Sequence, residues 1–416
     1  MNNHPRLLIT TLVLFIATTA HASEEILIQD IQFHGLVRTN EKTAQKIILP
    51  VSKGEAFTEV TEELIIQELR KAGIFNPEIR VESEIIGKVA FIDIFVKDRW
   101  TLIPIPIFSF SNDGSWNVGV LGIESNLLGR YKTLGLGFFY GSDGWSLLNI
   151  YSDPNFLGSD IRFTTGLSLG LDKTEDQTPE EETIRDYSAD KTKISLGMSV
   201  PVSESFSFGG KWSFNRSIHL ENNSGAAPVD DFSSTGIQGS LKWEQLYYDI
   251  PFEYGFLASS GLGWNWGLDD TKDYPQIEGK VKWALNPFYK HQLALIAHSA
   301  WSRDLPPQEQ FRLGGRPGSL VLPMGKIAAQ EYWSSSASYS IPAWSFKGGT
   351  LALKGFYDMG AYKSDLEETN FFHGPGMGIE LFINDLAIPA IQMNIAWNLE
   401  TGLYQFSAGV GMGGGE

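Results

Sequence analysis

The sequence predicts a mostly β protein, in which a 16-stranded antiparallel transmembrane β-barrel follows one small α+β domain. Three observations lead to this fold class. Helical periodicity occurs only within residues 25–98 of the mature chain. From residue 100 onward, apolar and polar residues alternate in segments of about ten residues. The gaps between these segments are alternately short and long, which is typical of outer-membrane barrels.

The first 22 residues are predicted to be a secretory signal peptide. Arg6 supplies a basic start, LLITTLVLFIATT is a short apolar core, and AHA at 20–22 is a small-x-small cleavage site. About 13 apolar residues are too few to span a bilayer as a helix. We therefore expect an exported protein whose mature chain begins at about Ser23.

Composition excludes several classes of protein. The chain has no cysteine, which excludes a disulfide scaffold and a thiolate metal site. Its net charge of −17 argues against nucleic acid as a partner. The seven histidines are scattered along the chain without an i,i+4 pair, so the sequence indicates neither a metal site nor a cofactor.

Residues 23–98 are predicted to form a domain of order β-α-α-β-β. The stretch EILIQDIQFHG is a strand that ends at Gly35, and Thr39 is placed to cap a helix that runs to about Ile48. A second helix, residues 59–72, carries an apolar face and is followed by Gly73 in the C′ position. Two strands, near EIRVESEI and KVAFIDIFV, complete the domain.

Residues 99–416 are predicted to form the barrel. In TLGLGFFYG, residues 133–141, Leu, Leu, Phe and Tyr share one face, while Thr and Gly share the other. The apolar face is expected to meet the lipids of the outer membrane and the polar face to line a lumen. All twelve tryptophans lie at or beyond Trp100, where they supply interfacial girdles.

Loop lengths orient the predicted barrel. The strands are centred near residues 105, 119, 136, 148, 165, 196, 210, 241, 260, 281, 296, 336, 355, 379, 394 and 408. Short links follow even-numbered strands, whereas the long gaps, at 171–190, 219–233, 302–330 and 361–371, follow odd-numbered strands. Both ends of the barrel sequence then lie on the short-turn, periplasmic side of the bacterial cell outer membrane. The small domain is expected in the periplasm.

The N-terminal segment resembles a POTRA (polypeptide-transport-associated) domain. The matching residues are Gly35 after the first strand, Gly54 and Phe57 before the second helix, and Gly73 and Phe75 in the run LRKAGIF. If the resemblance holds, these five residues are structural positions of the domain.

The barrel resembles that of the POTRA-plus-barrel superfamily that includes BamA, TamA and the two-partner secretion transporters. ESNLLGRYKTLGLG at 124–137 and YSDPNFLG at 151–158 are similar to its early-strand turns, and FYDMGAY at 356–362 is similar to its strand 13 motif. The resemblance covers essentially the whole mature chain, although assembly-type members usually carry several POTRA domains and this chain has one. It implies a Gram-negative outer-membrane protein that inserts or translocates client proteins.

FRLGG at 311–315 lies in the long 302–330 gap, where the superfamily carries a loop that folds into the barrel. The resemblance implies an Arg-Gly-aromatic triplet there, whose arginine docks on acidic residues of strands 12 and 13, but Val321-Leu322 stands in its place. We predict an inward-loop clamp made by Arg312, Gly314, Gly315, Arg316, Glu331 and Asp358. The alternative is an ordinary lumen salt bridge.

TLIPIPIFSF, residues 101–110, is the first predicted barrel strand. Pro104 and Pro106 have no backbone N–H group to donate to a neighbouring strand. Because the two residues are two positions apart, both missing N–H groups would have faced the same neighbouring strand. We predict a weak lateral seam with strand 16, formed by Pro104, Pro106, Gly409 and Gly411, that parts sideways. The alternative is that both prolines lie at the periplasmic rim, where water satisfies the carbonyls opposite.

Two functions fit these predictions. In the first, the POTRA strand edge binds unfolded client proteins by β-augmentation and the barrel inserts or translocates them, with periplasmic or lipoprotein partners as further candidates. In the second, the protein is a passive channel or structural barrel with a POTRA dock. The 302–330 loop favours the first function, because it would obstruct conduction.

An enzyme is not expected. GLSLG at 166–170 matches G-x-S-x-G, but it lies within a predicted strand and not in a strand-to-helix turn. The run EDQTPEEET at 175–183 is interpreted as a solvated external loop, with cation binding or repulsion of an acidic ligand as the alternatives.

Overall fold

The computed structural model describes residues 25–76, 78–222, 229–249, 251–365, 368–383 and 389–410. The chain divides into two compact units between Arg99 and Trp100. The predicted signal peptide and Gly411 lie outside the described residues. Neither α-helix in the described part of the chain is long and apolar enough to cross a membrane.

The N-terminal unit has the element order β-α-α-β-β. Its elements are β1 Leu27–His34, α1 Glu41–Ile47, α2 Thr61–Ala72, β2 Arg80–Ile86 and β3 Val89–Phe95. The sheet order is β1-β3-β2, with β1 parallel and β2 antiparallel to β3. The core consists of alternate residues of β1 and β3 together with one face of α2, namely Ile28, Ile31, Ala90, Ile92, Ile94, Ile65 and Leu69.

The two edges of this sheet differ. Backbone hydrogen bonds of 2.8 Å join Ile28 to Glu55 and Gly54, and Phe57 donates to Ile26 at 2.7 Å, so the segment around 54–57 covers the outer edge of β1. Among the described residues, β3 is the only strand that pairs with β2. The outer edge of β2 is therefore the open edge of the sheet.

The two ends of the unit meet near Gly35 and Asp98. Gly35 has φ +91°, and a Cβ there would lie 2.1 Å from the carbonyl oxygen of Val96, so only glycine fits. Phe75 is buried and forms a β-bridge with Asp98. The prediction that Thr39 caps α1 is wrong: the helix begins after Asn40, and the Thr39 hydroxyl donates to Asp98 instead.

Gly73 ends α2 in the left-handed conformation, with φ +69° and ψ 8°. A Cβ there meets no atom within 4 Å, so a substitution is strained by backbone conformation alone.

Gly73→Val should destabilise the N-terminal unit by about 1–3 kcal/mol. Gly73→Asn should cost less, because Asn tolerates this conformation. The check is protease resistance of the unit in the full-length protein, with heat-modifiable gel migration reporting the barrel; equal resistance of Gly73→Val and wild type would contradict the prediction.

Asp98 should make the stability of the N-terminal unit depend on pH. Burial raises the pKa of Asp98, but hydrogen bonds from the Thr39 hydroxyl and from the backbone N–H groups of Val37, Arg38 and Thr39 outweigh it and hold the pKa below its usual range. A depressed pKa contributes stability that is present above the unfolded value, about 3.9, and is lost as pH falls through the folded value.

We therefore expect the unit to lose resistance to pulse proteolysis in urea as pH falls below about 4. Asp98→Asn should be less stable than wild type at neutral pH, because one acceptor oxygen is lost, and the difference should shrink as the pH falls. Pepsin permits the measurement in acid. Parallel pH profiles of the two proteins would show that Asp98 makes no such contribution.

The second unit is a closed antiparallel barrel of sixteen strands, which confirms the predicted fold class. The wall strands are β4 Leu102–Ser111, β5 Trp116–Glu124, β6 Thr133–Gly141, β7 Gly144–Asp153, β8 Arg162–Gln177, β9 Thr183–Pro201, β10 Phe206–Asn222, β11 Phe232–Asp249, β12 Phe252–Leu268, β13 Tyr274–Leu285, β14 Gln292–Ser302, β17 Glu331–Phe346, β18 Gly349–Lys363, β19 Asn370–Ile383, β20 Pro389–Trp397 and β21 Tyr404–Gly409. Two short strands, β15 Phe311–Leu313 and β16 Ile327–Ala329, pair with each other and with no other strand of the described segments. The predicted dyad pattern holds in β6, where Leu136, Phe138 and Tyr140 are exposed on the outer face.

One of the four predicted long loops, 171–190, is mostly strand, and two others, 219–233 and 361–371, begin and end in strand. β8 and β9 extend to Gln177 and from Thr183, and the same extension shortens the connections after β10 and β18. The polar residues of these stretches also form strands, because two strands pair through backbone hydrogen bonds and do not require an apolar face. The segment at 303–330 is the long connection among the described residues.

The barrel has two distinct ends. We call the end at which the chain enters at Leu102 the turn end, and the opposite end, from which residues 303–330 depart, the loop end. The strands β5, β6 and β7 contain 9, 9 and 10 residues, whereas β8 to β12 contain 16 to 19. The wall is thus much longer on one side than on the other.

Candidate functional site

Residues 303–330, here called the luminal loop, fold into the barrel. Their apolar side chains are buried against residues of the neighbouring wall, on β18, β19 and β20. The cluster contains Leu313, Leu320, Val321, Leu322, Ile327 and Ala329 of the loop with Phe356, Tyr362, Phe372 and Ala396 of the wall. Val321 and Leu322, at 0% and 1% exposure, lie at its centre. Apolar packing therefore occupies the place where the superfamily resemblance implied an arginine.

Asp358 holds the backbone of the luminal loop. Its carboxylate is fully buried and accepts hydrogen bonds from the backbone N–H of Leu320, at 2.8 Å, and from the Ser336 hydroxyl, at 2.6 Å. The prediction that an arginine pairs with Asp358 is thus wrong for the described residues. Once Val321 and Leu322 replace the arginine, loop N–H groups supply the donors that a buried carboxylate requires.

The tight path of the loop depends on Gly314 and Gly315. They have φ +95° and +72°, and a Cβ on Gly314 would lie 1.8 Å from the carbonyl oxygen of Pro323. The Gly314 N–H donates to the Ser319 hydroxyl at 3.2 Å. The two glycines therefore bring the β15 and β16 arms of the loop close together.

Arg312 fastens the other side of the luminal loop to the wall. Its guanidinium pairs with Asp176 on β8 and donates to the carbonyl of Pro307 at 3.2 Å and to the Tyr187 hydroxyl at 3.4 Å. Asp176 is 3% exposed. It also lies 3.6 Å from Arg185, so two cations compensate one buried carboxylate. Arg312 is thus a clamp residue, but its anchor lies on β8 and not on strands 12 and 13.

Two lysines extend this charged contact. Lys326 of the loop lies 3.3 Å from Glu175 on β8 and 3.5 Å from Asp113 in the β4–β5 turn. Lys193 on β9 lies 2.9 Å from Glu309 of the loop. The luminal loop is therefore held by apolar contacts on one wall and by ion pairs on the other.

The two remaining predicted clamp residues do not join these contacts. The Arg316 side chain is exposed, and only its carbonyl takes part, as acceptor from the backbone N–H of Ser319 at 2.9 Å. Glu331 begins β17 and lies 4.0 Å from Lys363 of the neighbouring strand, so it serves the wall and not the loop.

Sequence reasoning missed Asp176 and Arg185, because both lie in the stretch 171–190, which was predicted to be a long loop. The alternation of inward and outward residues along the strand could have identified Asp176. Extending the alternation of β8 beyond Leu169 places Asp172, Thr174 and Asp176 on the inner face. The solvated interpretation is therefore wrong for Asp176, whose partners are inside the barrel.

Arg312→Ala should weaken the docking of the luminal loop, whereas Arg316→Ala should not. Charge-assisted hydrogen bonds worth about 1.5–3 kcal/mol are lost, which raises the fraction of undocked loops roughly tenfold or more. Asp176 keeps Arg185 as a partner, so the wall should stay folded. Single-channel conductance is expected to rise for Arg312→Ala only. An equal rise in both variants, or none in Arg312→Ala, would refute the assignment.

The barrel closes between β21 and β4, and we call this junction the seam. The described pairs are Ser407 with Ser111, Ala408 with Phe110, and Gly409 with Ser109, all at the loop end of β4. By contrast, β4 pairs with β5 along nine residues, from Leu102 to Phe110. The fourth predicted seam residue, Gly411, lies outside the described residues.

The two prolines of β4 face the seam. The carbonyl of Phe108 accepts a hydrogen bond from the backbone N–H of Val410, at 3.0 Å. In an antiparallel strand, the N–H and C=O groups of one residue point to the same neighbour, and the direction alternates along the strand. Pro104 and Pro106 have the parity of Phe108 in an uninterrupted register with β5. Their missing donors are therefore on the seam side.

The described residues contain no group of three or more His, Asp or Glu side chains that could hold a metal ion. The candidate site consists of the docked luminal loop and the seam.

A closed sixteen-stranded barrel with an inward-folded loop and a preceding α+β unit defines a class of outer-membrane proteins. The model of the Omp85 superfamily domain matches residues 126–413, more than half of the chain. The protein belongs to the Omp85 superfamily. No curated protein matches the sequence significantly.

Solved structures share this fold. CdiB from Escherichia coli superposes with a TM-score of 0.66 at 13% identity, covering 93% of this chain and 76% of that chain. CdiB from Acinetobacter baumannii gives 0.64 at 13%, covering 93% and 74%. BamA from Haemophilus ducreyi lacking POTRA domains 1–3 gives 0.64 at 15%, covering 92% and 84%. At these identities the similarity establishes the fold.

Proposed function

We propose that this protein inserts client proteins into the outer membrane or translocates them across it, and that the seam is where the client engages the barrel. The observation that carries the proposal is the pair of missing donors on the seam side of β4, at Pro104 and Pro106. In hydrocarbon an unpaired backbone group costs several kcal/mol, so a wall strand without these donors forms the weakest junction of the barrel. A client strand gains hydrogen bonds by pairing at an edge exposed there.

The luminal loop supports this function over a passive channel. Its apolar cluster and its ion pairs fix it to opposite walls, so conduction through the lumen requires both sets of contacts to break. A seam that parts sideways leaves these contacts in place. The loop then keeps the barrel closed to small solutes while a client uses the seam.

The N-terminal unit is proposed to be a POTRA domain, residues 23–98, in the periplasm, and residues 99–416 to be the barrel in the outer membrane. The open edge of β2 is where an unfolded client chain would add a strand. Lipids surround the outer face of the barrel, and periplasmic or lipoprotein partners would bind the same unit.

Restoring the missing donors should impair client handling. Pro104→Val/Pro106→Val keeps β-favourable apolar residues and returns two N–H groups to the seam side of β4. Each added hydrogen bond is worth about 1 kcal/mol, so two lower the population of the parted seam roughly thirtyfold. The measurement is the outer-membrane and secreted proteome of cells that carry only this variant, with depletion of the wild-type gene as the reference for full loss.

Pro375→Val is the matched control, because Pro375 is also an exposed strand proline but lies in β19, away from the seam. It should leave the proteomes unchanged. If the double variant also leaves them unchanged while depletion alters them, the prolines are rim residues and the seam is not the site. If depletion itself changes neither proteome, the protein does not handle clients.

A further inference from the structure

The hairpin tip between β8 and β9 contacts both sides of the seam. The carboxylate of Glu181, at this tip, accepts a hydrogen bond from the side-chain amide of Gln405 on β21, at 2.8 Å. The same oxygen accepts one from the side-chain amide of Asn112 in the β4–β5 turn, at 3.4 Å. Asn112 also donates to the carbonyl of Tyr404 on β21, at 3.4 Å. One carboxylate thus joins the two strands that close the barrel.

This contact crosses the mouth of the barrel. In the wall, β8 and β9 are the fifth and sixth strands counted from β4, so they are not neighbours of β21. Glu181 itself has φ +68°, a conformation that costs a residue with a side chain of order 1–3 kcal/mol and persists only where surrounding contacts fix it. Its N–H donates to the carbonyl of Thr178 at 3.0 Å, which closes the tip.

The luminal loop supports the tip from the side of the barrel interior. The backbone N–H of Gln177 donates to the carbonyl of Lys326 at 2.9 Å, and the Lys326 ammonium lies between Glu175 and Asp113. The tip, the loop and the β4–β5 turn therefore form one connected set of contacts, and all of them are at the loop end of the seam.

The two ends of the seam consequently differ. At the loop end, three residue pairs and the Glu181 contacts hold β21 against β4. Toward the turn end, Pro106 and then Pro104 remove donors from the seam side of β4. A junction that is reinforced at one end and weakened at the other separates from the weak end first.

We propose that Glu181 is a positioning residue that pins the loop end of the seam, so that the seam parts from the turn end. This inference rests on the proposed function and specifies how the seam works. A seam that opens in this way admits a strand from the turn end and connects it with the lipid, while the pinned end prevents a breach through the whole wall.

The first test measures pinning. The chain contains no cysteine, so Ser111→Cys with Ser407→Cys introduces one pair, directly opposite across the seam. Residues 111 and 407 are directly opposed, next to the hydrogen-bonded pair Phe110 and Ala408. The Cα atoms of directly opposed residues lie at a separation that permits a disulfide. In native membranes under mild oxidation, Glu181→Ala should slow disulfide formation several-fold, because the two strands no longer stay together. Glu181→Gln, which keeps one acceptor oxygen, should fall between Glu181→Ala and the parent.

Glu180→Ala is the matched control, since Glu180 is an exposed acidic residue on the same tip. It should form the disulfide at the parent rate. If Glu181→Ala and Glu180→Ala form it equally fast, the Glu181 contact is an ordinary surface hydrogen bond and the proposal fails.

The second test measures the direction of opening. Cells that carry the oxidised 111–407 pair should handle clients as well as cells in which the pair is reduced, because the lock lies at the pinned end. Loss of client handling on oxidation that returns on reduction would overturn the proposal, yet it would leave the proposed function intact. Failure of the proposed function shows separately, as an unchanged proteome in the proline variant or on depletion.

Discussion

The barrel is built on the requirement that a chain in hydrocarbon pair its own backbone donors and acceptors. A closed sheet meets this requirement around the whole wall, and its first and last strands must pair without a segment that connects them. In this protein, the first strand enters that junction with two donors missing, because Pro104 and Pro106 point their imide nitrogens toward the last strand. The hairpin tip between β8 and β9 reaches over this junction, and the luminal loop supports that tip.

The luminal loop shows how one structural task is performed by different chemistry. The family resemblance implied a guanidinium on an acidic residue of strand 12 or 13. Here Val321 and Leu322 pack in that region, and the buried carboxylate of Asp358 binds backbone N–H groups of the loop. The arginine that fastens the loop to the wall is instead Arg312, whose partner Asp176 lies on β8. The loop is held on two sides, so either contact alone leaves it docked in part.

The fold was predictable from sequence to a large extent, because period-two alternation is a direct consequence of strand geometry and recurs along the wall. The role of the β4 prolines was also predictable, since their positions two residues apart assign both missing N–H groups to one neighbouring strand.

The partners of the luminal loop were not predictable from the sequence. Arg312 and Asp176 are far apart in the chain, and no local pattern connects them; their contact depends on how the loop folds back across the lumen. The strand extensions past Leu169 and Ser217 were missed for a different reason, because a polar stretch was interpreted as a loop although strands outside hydrocarbon tolerate polar residues on both faces.

The unequal strand lengths give the barrel the shape of an obliquely cut tube. At about 3.4 Å per residue, the 9-residue strands β5 and β6 are about 30 Å long, whereas the 19 residues of β9 reach about 65 Å. The short strands follow directly after the seam, and β20 and β21 before it have only 9 and 6 described residues. The rim of the barrel is therefore lowest beside the seam and highest at β8 to β12, on the far side of the barrel. The β8–β9 hairpin is thus tall enough for its tip to reach across the mouth to the low rim beside the seam.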